Sequence, residues 1–268
     1  MSYKKSESRK RADKTNEARG QLVVKGNALI QKSRYQLTLQ EQKIVLYMIS
    51  RIKPNDDDFI YQEFSVAEFC RICGMDSDNG GNYKYVKETI KDLADKSAWI
   101  TIERDGKKCE TLIRWIEKAW IEENTGFIQI RLDKDLKPYL LQLRKSFTQY
   151  ELIYTLAMRS QYSVRIYELL KSYQHLGFVE FNLDDLKRMV NAENYIRGND
   201  FRRRVIETSL HEINALTDIY VEFEFLKTSY TFTHIKFIIK RKENVEERLE
   251  VIGNISKRVK GVKDFRKE

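Results

Sequence analysis

Residues 181–189 read Phe-Asn-Leu-Asp-Asp-Leu-Lys-Arg-Met, and residues 64–72 read Phe-Ser-Val-Ala-Glu-Phe-Cys-Arg-Ile. In both stretches an aromatic residue precedes a small polar residue, and apolar residues follow at helical spacing. The pattern predicts the end of a strand, a helix N-cap and a short amphipathic helix. Because the two stretches lie 117 positions apart, they indicate a repeated domain.

The repeat continues on both sides of these stretches. Downstream, an apolar helix row and the residue that opens the next strand recur at an offset of 120. The first copy consists of Val86, Ile90, Leu93 and Trp99, and the second of Ile206, Leu210, Ile213 and Ile219. Upstream, residues 148–151 repeat the capping-box spacing of residues 38–41 at an offset of 110. Four aligned elements with small changes of offset predict a duplication with loop insertions.

The order of elements within one copy indicates the fold. The predicted elements of the first copy are helix 38–52, strand 59–64, a short helix ended by Gly74, a longer helix after Gly80 and Gly81, and strands over 99–103, 109–121 and 126–132. Asp105-Gly106 has the chemistry of a hairpin turn. Two helices joined by a turn and followed by a hairpin are the parts of a winged helix.

We therefore predict an α+β protein of two tandem winged-helix domains related by duplication. The first domain is assigned to residues 22–143 and the second to residues 144–242, with the boundary in the segment 141–146. Residues 1–21 are polar without an apolar period and predict a disordered basic tail, and residues 243–268 predict a charged C-terminal tail.

The net charge of +9 points to an anionic partner, but most of it lies at the ends of the chain. Residues 1–20 hold 7 basic and 3 acidic side chains, and residues 240–268 hold 10 and 6, so each end supplies +4. The ends are expected to attract phosphate without sequence preference. A specific nucleic-acid surface in the nearly neutral body must come from local clustering.

One such cluster lies on the predicted second helix of the second domain. A helical projection of residues 199–213 buries Ile206, Leu210 and Ile213. The candidate DNA-binding residues on the other faces and in the preceding turn are Arg197, Arg202, Arg203, Arg204, Thr208 and His211. Arginine can engage guanine O6 and N7 or clamp phosphate, whereas arginines at a helix start oppose the helix dipole. Contact with DNA is therefore favoured over the alternative of a solvated helix face.

The other basic positions are weaker candidates. On the equivalent helix of the first domain, Lys84, Lys87 and Lys91 alternate with acidic residues, as on an ordinary exposed helix, and predict backbone contacts or a protein partner. In the second hairpin, Lys227 is placed to meet phosphate, and a plain solvated turn explains it equally well.

The sequence offers little for catalysis, cofactors or metals. It has no phosphate-binding loop motif and no His-x-His pair, so we predict a binding protein without enzymatic activity or cofactor. Cys70 and Cys73 have a metal-like spacing, but they lack further ligands nearby and are predicted to pack in the core. No signal peptide or membrane-spanning stretch stands in the sequence, so a cytoplasmic protein is expected.

Residues 160–171 carry a family resemblance. The segment Ser-Gln-Tyr-Ser-Val-Arg-Ile-Tyr-Glu-Leu-Leu-Lys resembles the first helix of the second domain in plasmid Rep initiators that bind iterons. Residues 27–29, 37–43 and 181–189 extend the resemblance to roughly residues 22–240. From the residues themselves, the motif predicts an apolar stripe with Arg165 free to reach phosphate or an acidic partner.

The resemblance implies that the second domain makes the main contacts with double-stranded DNA that carries directly repeated origin sequences. It also implies a first domain that serves dimerisation and auxiliary DNA contact, a monomer in equilibrium with a homodimer, and repression of its own synthesis at an operator. Host initiator and helicase proteins would then be the recruited partners. A winged-helix repressor without a role in replication, and a scaffold that uses only its tails on DNA, are the alternatives.

Overall fold

The computed structural model describes residues 12–53, 55–75, 80–122 and 125–262, and in it residues 64–72 and 181–189 follow the same backbone course. In both, a strand passes through a polar N-cap into a helix of 7 residues. The Ser65 side chain accepts a hydrogen bond from the Glu68 amide, and the Asn182 side chain accepts from the amides of Asp184 and Asp185. These caps satisfy otherwise unpaired amides and start the helices where the sequence predicts.

The first unit begins with a helix over 12–19, which we call α1. Its further elements are β1 (Leu22–Gly26), α2 (Asn27–Gln31), β2 (Ser33–Tyr35), α3 (Leu39–Ser50), β3 (Gln62–Ser65), α4 (Val66–Ile72), α5 (Gly80–Ala94), β4 (Ser97–Arg104), β5 (Lys107–Arg114), β6 (Ile116–Ile121), β7 (Phe127–Leu132) and α6 (Lys137–Leu140). Gly80 and Gly81 start α5 instead of forming a turn before it, and Pro138 lies in the first turn of α6, where proline is tolerated.

The second unit repeats the order of β1 to β5 without a counterpart of β2, and within its described residues it has none of β6 and β7. Its elements are β8 (Phe147–Glu151), α7 (Leu152–Leu156), α8 (Gln161–Ser172), β9 (Phe178–Asn182), α9 (Leu183–Met189), α10 (Gly198–Phe201), a π-helical turn (Arg202–Glu207), α11 (Thr208–Leu216), β10 (Ile219–Thr228), β11 (Thr231–Arg241) and α12 (Val245–Ser256). The chain runs from α10 to α11 without a break, so Gly198 to Leu216 form one long helix, which we call the arginine helix.

The sheets show how the units are built and joined. In the second unit the hairpin β10–β11 adds β9 to give the order β10-β11-β9, and in the first unit the hairpin β4–β5 pairs with β2. In the first unit, β3 pairs with β7 in a separate sheet of order β3-β7-β6. Asp105 and Gly106 both have positive φ at the tip of β4–β5, as the predicted hairpin turn requires.

One part of the predicted repeat is wrong. Thr38 forms the expected capping box with Glu41 at the start of α3, but Thr148 lies within β8 and does not cap a helix. Its hydroxyl donates to the Asn27 side chain at 2.7 Å. The residue that corresponds to Thr38 is Ser160, which caps α8 by accepting from the Tyr162 amide. A capping-box spacing is short, so it also occurs by chance in a strand.

The two units share strand pairing and buried polar contacts. Strands β1 and β8 pair antiparallel, with Leu22 opposite Glu151 and Gly26 opposite Phe147. Beside this pair, Lys25 Nζ lies 2.5 Å from Glu168 Oε1, and both side chains are almost completely buried. The segment 141–146, predicted as the boundary, does connect α6 to β8, but the contacts of β1 with β8 hold the units together across it.

Both ends of the described chain are more ordered than the tails that the sequence predicts. The prediction of disorder up to residue 21 is wrong for residues 12–19, which form α1, and residues 1–11 lie outside the described part. The C-terminal segment was expected to be a charged tail, yet α12 buries Val251 and Ile255, and Val259 beyond it is also buried. These apolar residues are spaced by four positions, and on a helix such residues share one face.

Arg19 joins the two ends to the first unit. Its guanidinium is buried and donates to the carbonyls of Ile72 at 2.9 Å, Arg71 at 2.7 Å and Lys260 at 2.8 Å. The first two carbonyls lie at the C-terminal end of α4, where backbone acceptors lack helical partners. A single arginine therefore links α1, α4 and the chain after α12.

Replacing Arg19 by alanine should lower the free energy of unfolding by about 2 kcal/mol, because one buried and two partly buried hydrogen bonds from a charged donor to carbonyls are lost. Urea unfolding of the full chain measures this. The matched control is Arg104→Ala, since the Arg104 side chain is 80% exposed and, among the described residues, its one ion pair is a distant contact of 3.9 Å with Asp105. Equal stability of the two variants would show that Arg19 does not hold the ends.

Within the described residues, the helices are either too short or too polar to cross a membrane. Cys70 and Cys73 pack in the core as predicted, and burial raises the pKa of the Cys73 thiol to about 12. No group of three or more metal-ligating side chains is found among the residues that the structure describes.

Candidate nucleic-acid interface

The arginine helix presents one apolar face and one basic face. Ile206, Leu210 and Ile213 are buried, as the helical projection predicts. Phe201 and Val205 are buried as well. The π-helical turn over residues 202–207, which contains Val205 and Ile206, adds a residue to the helix repeat. Such a turn shifts the phase of the helix. Arg202, Arg203 and Arg204 are three consecutive exposed residues between the buried Phe201 and Val205.

The three arginines have different neighbours. Arg202 Nε donates to Glu207 Oε1 at 2.8 Å, and its guanidinium lies 5.9 Å from the ring centre of Phe223 and 5.8 Å from that of Phe225. Within the part of the chain that the structure describes, the ion pair found for Arg204 is a long contact of 4.0 Å with Asp200. Among the described residues, no ion pair is found for Arg203. Arg202 is thus held toward β10, whereas Arg203 and Arg204 are available to a ligand.

The tip of the β10–β11 hairpin, residues 226–233, forms the wing. Lys227 Nζ lies 4.8 Å from the ring centre of Phe232, and Tyr230 at the turn is 98% exposed. The hydroxyls of Thr228 and Thr233 are 2.8 Å apart across the hairpin. Exposed hydroxyls beside a lysine are the donors expected at a phosphate backbone.

A row of aromatic rings connects the wing to the arginine helix. Phe223 and Phe225 have ring centres 5.6 Å apart, and Phe225 and Phe232 have centres 5.7 Å apart. Arg202 lies over the first two rings and Lys227 over the third. The row holds two cations on one side of the hairpin by cation–π contact. The sequence prediction included both cations but missed the rings, whose alternation at positions 223 and 225 is the signal that could have found them.

Of the remaining predicted DNA-binding residues of the arginine helix, some are free to contact a ligand and one is not. Arg197 and His211 are exposed at the start and in the second half of the arginine helix. Thr208 is also exposed, but its hydroxyl donates to the Arg203 carbonyl at 3.0 Å and so closes the π-helical turn. The Thr208 hydroxyl is therefore already hydrogen-bonded in the protein without DNA.

The prediction that Arg165 is free to reach phosphate is wrong. Its side chain is buried between the units, donates to the carbonyls of Met189 at 3.2 Å and Ser33 at 2.9 Å, and lies over the ring of Tyr35 at 4.7 Å. It occupies the face of α8 that packs on the first unit. A helix projection of one domain alone leaves this face open because the covering residues come from the other unit.

In the first unit the predicted lysines lie on the exposed side of α5. Lys84 is exposed, Lys87 lies 5.4 Å from the ring centre of Tyr83, and Lys91 pairs with Glu88 at 3.0 Å. The hairpin β4–β5 carries a basic tip that the sequence reasoning missed, formed by Arg104, Lys107 and Lys108 around the turn. The signal in the sequence that could have revealed this basic tip is the three basic residues that flank the Asp-Gly turn. Each unit therefore carries basic side chains both on this helix and on its hairpin.

Comparison with known proteins agrees with this architecture. The family model described as Initiator Replication protein, WH1, matches residues 22–171, and the one described as Initiator Rep protein, WH2, matches residues 182–239. The first match extends through α8, which the duplication places in the second unit. A replication initiation protein of Escherichia coli is 25% identical over 191 residues, which are 68% of this chain and 57% of that protein.

A solved structure has the same fold. The crystal structure of Pi initiator protein in complex with iteron DNA superposes with a TM-score of 0.67 at 18% sequence identity, covering 84% of this chain and 99% of that one. The predicted α+β fold of two tandem winged-helix domains is thus confirmed. Since the two family models together cover both units, and the first alone covers more than half of the chain, the protein belongs to the family of initiator replication proteins.

Proposed function

We propose that this protein initiates replication of a plasmid by binding directly repeated origin DNA in a sequence-specific manner. The observation that carries the proposal is the exposed arginine triplet beside a basic wing, on the second of two winged-helix units. In a winged helix the second helix enters the major groove and the hairpin contacts the backbone. The structural relative of the same fold is a complex with iteron DNA, which supports repeated DNA as the ligand.

The contacts of each cation suggest its role. Arg203 and Arg204 point away from the core without a close ion pair among the described residues, so we assign base contacts to them. Arg202 and Lys227 are held over aromatic rings beside the wing, which suits fixed contacts with phosphates. Arg197 and His211 extend this surface, and Lys84, Lys87 and Lys91 are the auxiliary DNA contacts of the first unit.

The proposed action is binding alone, without catalysis or a cofactor, in the bacterial cytoplasm. Bound at several repeats, the protein would promote opening of the origin and recruit host initiator and helicase proteins. As a dimer it would repress its own synthesis at an operator. Membership of the initiator family supports this proposal over the alternative of a repressor without a role in replication.

Footprinting on the DNA that flanks the gene tests the proposal. We expect protection of several direct repeats whose spacing is a multiple of about 10.5 bp, because identical monomers then approach one face of the duplex. Protection of a single palindromic site would instead indicate the repressor. If no site were protected at physiological salt, only a scaffold role would remain.

A further inference from the structure

A cleft of about 510 Å³ lies beside the arginine helix, between its second half and the turn that precedes α8. Arg203 and His211 line it from the helix, Arg159 from the turn, and Arg258 from the chain after α12. Three arginine residues from separate parts of the sequence therefore line one opening. Arg258 lies outside both residue ranges that the family models match.

The acidic groups of the cleft are already paired. Glu212 is buried and accepts hydrogen bonds from the amides of Arg159 at 3.1 Å and Ser160 at 3.2 Å, and it forms an ion pair with Arg258. Glu207 accepts from Arg202, which is the cation on the wing side. Neither carboxylate is left to neutralise Arg159 or Arg203.

Arg159 is consequently an uncompensated cation on a fixed backbone. Its side chain is exposed, and no ion pair is found for it within the described ranges of the chain. The hydrogen bonds of its amide to the buried Glu212 hold the turn against the arginine helix. A solvated surface arginine needs no such anchoring, whereas a contact with a fixed anion gains from it because less conformational entropy is lost on binding.

We infer that Arg159 binds a backbone phosphate of the same DNA duplex whose bases Arg203 and Arg204 contact. The inference rests on the proposed DNA binding and adds a contact from outside the helix and the wing. Glu212 is the positioning residue, since it places the turn of Arg159 relative to the arginine helix. Arg258 neutralises the charge of Glu212. Through this chain of contacts, the segment after α12 supports the DNA-binding surface.

The salt dependence of binding tests this inference. Fluorescence anisotropy would follow binding of the full chain to a mixed-sequence duplex of roughly 30 bp, about three helical turns, over a range of salt concentrations. For Arg159→Ala, the slope of log K against log salt should become shallower by about 0.9, and binding at about 0.1 M salt should weaken about eightfold, because one phosphate contact is lost.

Two further variants separate a phosphate contact from other roles. Arg159→Lys should restore the slope, since a phosphate contact needs the charge and not the planar fork of arginine. Arg248→Ala, at an exposed arginine of α12 that lies in a different cleft with Glu151 and Asp218, should leave the slope unchanged. Thermal unfolding of each variant controls for stability.

The outcomes distinguish this inference from the proposed function. If the unmodified protein binds the duplex and Arg159→Ala keeps the full slope, the phosphate contact is refuted while DNA binding stands. If the unmodified protein binds neither this duplex nor the repeat protected in the footprint at any salt concentration, the proposed function fails first. A slope that is shallower in Arg159→Ala and restored in Arg159→Lys supports the contact.

Discussion

Replacing Glu168 by alanine should lower the free energy of unfolding by about 3–5 kcal/mol, because it leaves a buried lysine without its counter-ion. Glu168 is 1% exposed at the interface of the two units. Its Oε1 atom accepts from Lys25 Nζ at 2.5 Å and from the Tyr150 hydroxyl, and its Oε2 atom from the Tyr35 hydroxyl at 3.5 Å. Equilibrium unfolding in urea measures the loss.

Two variants separate the loss of the ion pair from the loss of side-chain volume. Glu88→Ala breaks the exposed pair with Lys91 and should change stability by about 0.5 kcal/mol or less. The double variant Lys25→Met with Glu168→Leu should recover most of the loss, because Lys25 is then no longer buried without its counter-ion. A loss below about 1 kcal/mol in Glu168→Ala would contradict a stabilising role for this ion pair.

The pH dependence of the Glu168→Ala variant has a definite sign. Burial lowers the pKa of Lys25, and the charge of Glu168 opposes that shift. Without Glu168 the folded pKa falls further below the unfolded value of about 10.4. The unfolded chain then binds more protons than the folded one between the two pKa values, so stability rises with pH in that window. The deficit of the variant should therefore shrink as the pH approaches 10.4.

Replacing both Arg203 and Arg204 by alanine should weaken binding to the protected repeat by about 2–6 kcal/mol, which is 1–3 kcal/mol for each arginine that reads a base. Both side chains are exposed on the arginine helix, so the fold should be unaffected. Binding to a mixed-sequence duplex should weaken much less, because base contacts contribute little there. Anisotropy titrations with the repeat and with the mixed-sequence duplex measure the difference.

The single substitutions assign the roles within the triplet. Arg203→Lys should lose specificity, because lysine lacks the fork that engages guanine O6 and N7 together. Arg202→Ala should weaken binding to both duplexes alike, since Arg202 is held at the wing by Glu207 and two aromatic rings. If the double variant bound the repeat as tightly as the unmodified protein does, the assignment of base contacts to this helix would be wrong.

Several features were predictable because they depend on residues close in sequence. The buried face of the arginine helix follows from the spacing of Ile206, Leu210 and Ile213, and the start of α3 follows from the pair Thr38 and Glu41. The repeated helix–hairpin order indicated the winged-helix units even though one of the four aligned elements, at Thr148, was misplaced.

Other features depend on contacts between distant segments and left no local signal. Arg165 has the pattern of an exposed helix residue, but the first unit covers it and the Ser33 carbonyl accepts its hydrogen bond. The position of Arg159 beside the arginine helix depends on the packing of Glu212 and Arg258 against its turn. The π-helical turn in the arginine helix likewise depends on how Phe201 and Ile206 are both buried.

The sequence by itself determined the two-unit winged-helix fold, the family and the identity of the arginine helix, because periodicity, caps and repeats are properties of neighbouring residues. Only the tertiary structure decided which cations are available. Arg165 and Arg19 are taken by carbonyls and Arg202 by Glu207, whereas Arg159, Arg203 and Arg204 lack close ion pairs among the described residues. The residue type determines the charge of a side chain. Its burial and its hydrogen-bond or ion-pair partner depend on how distant segments pack together.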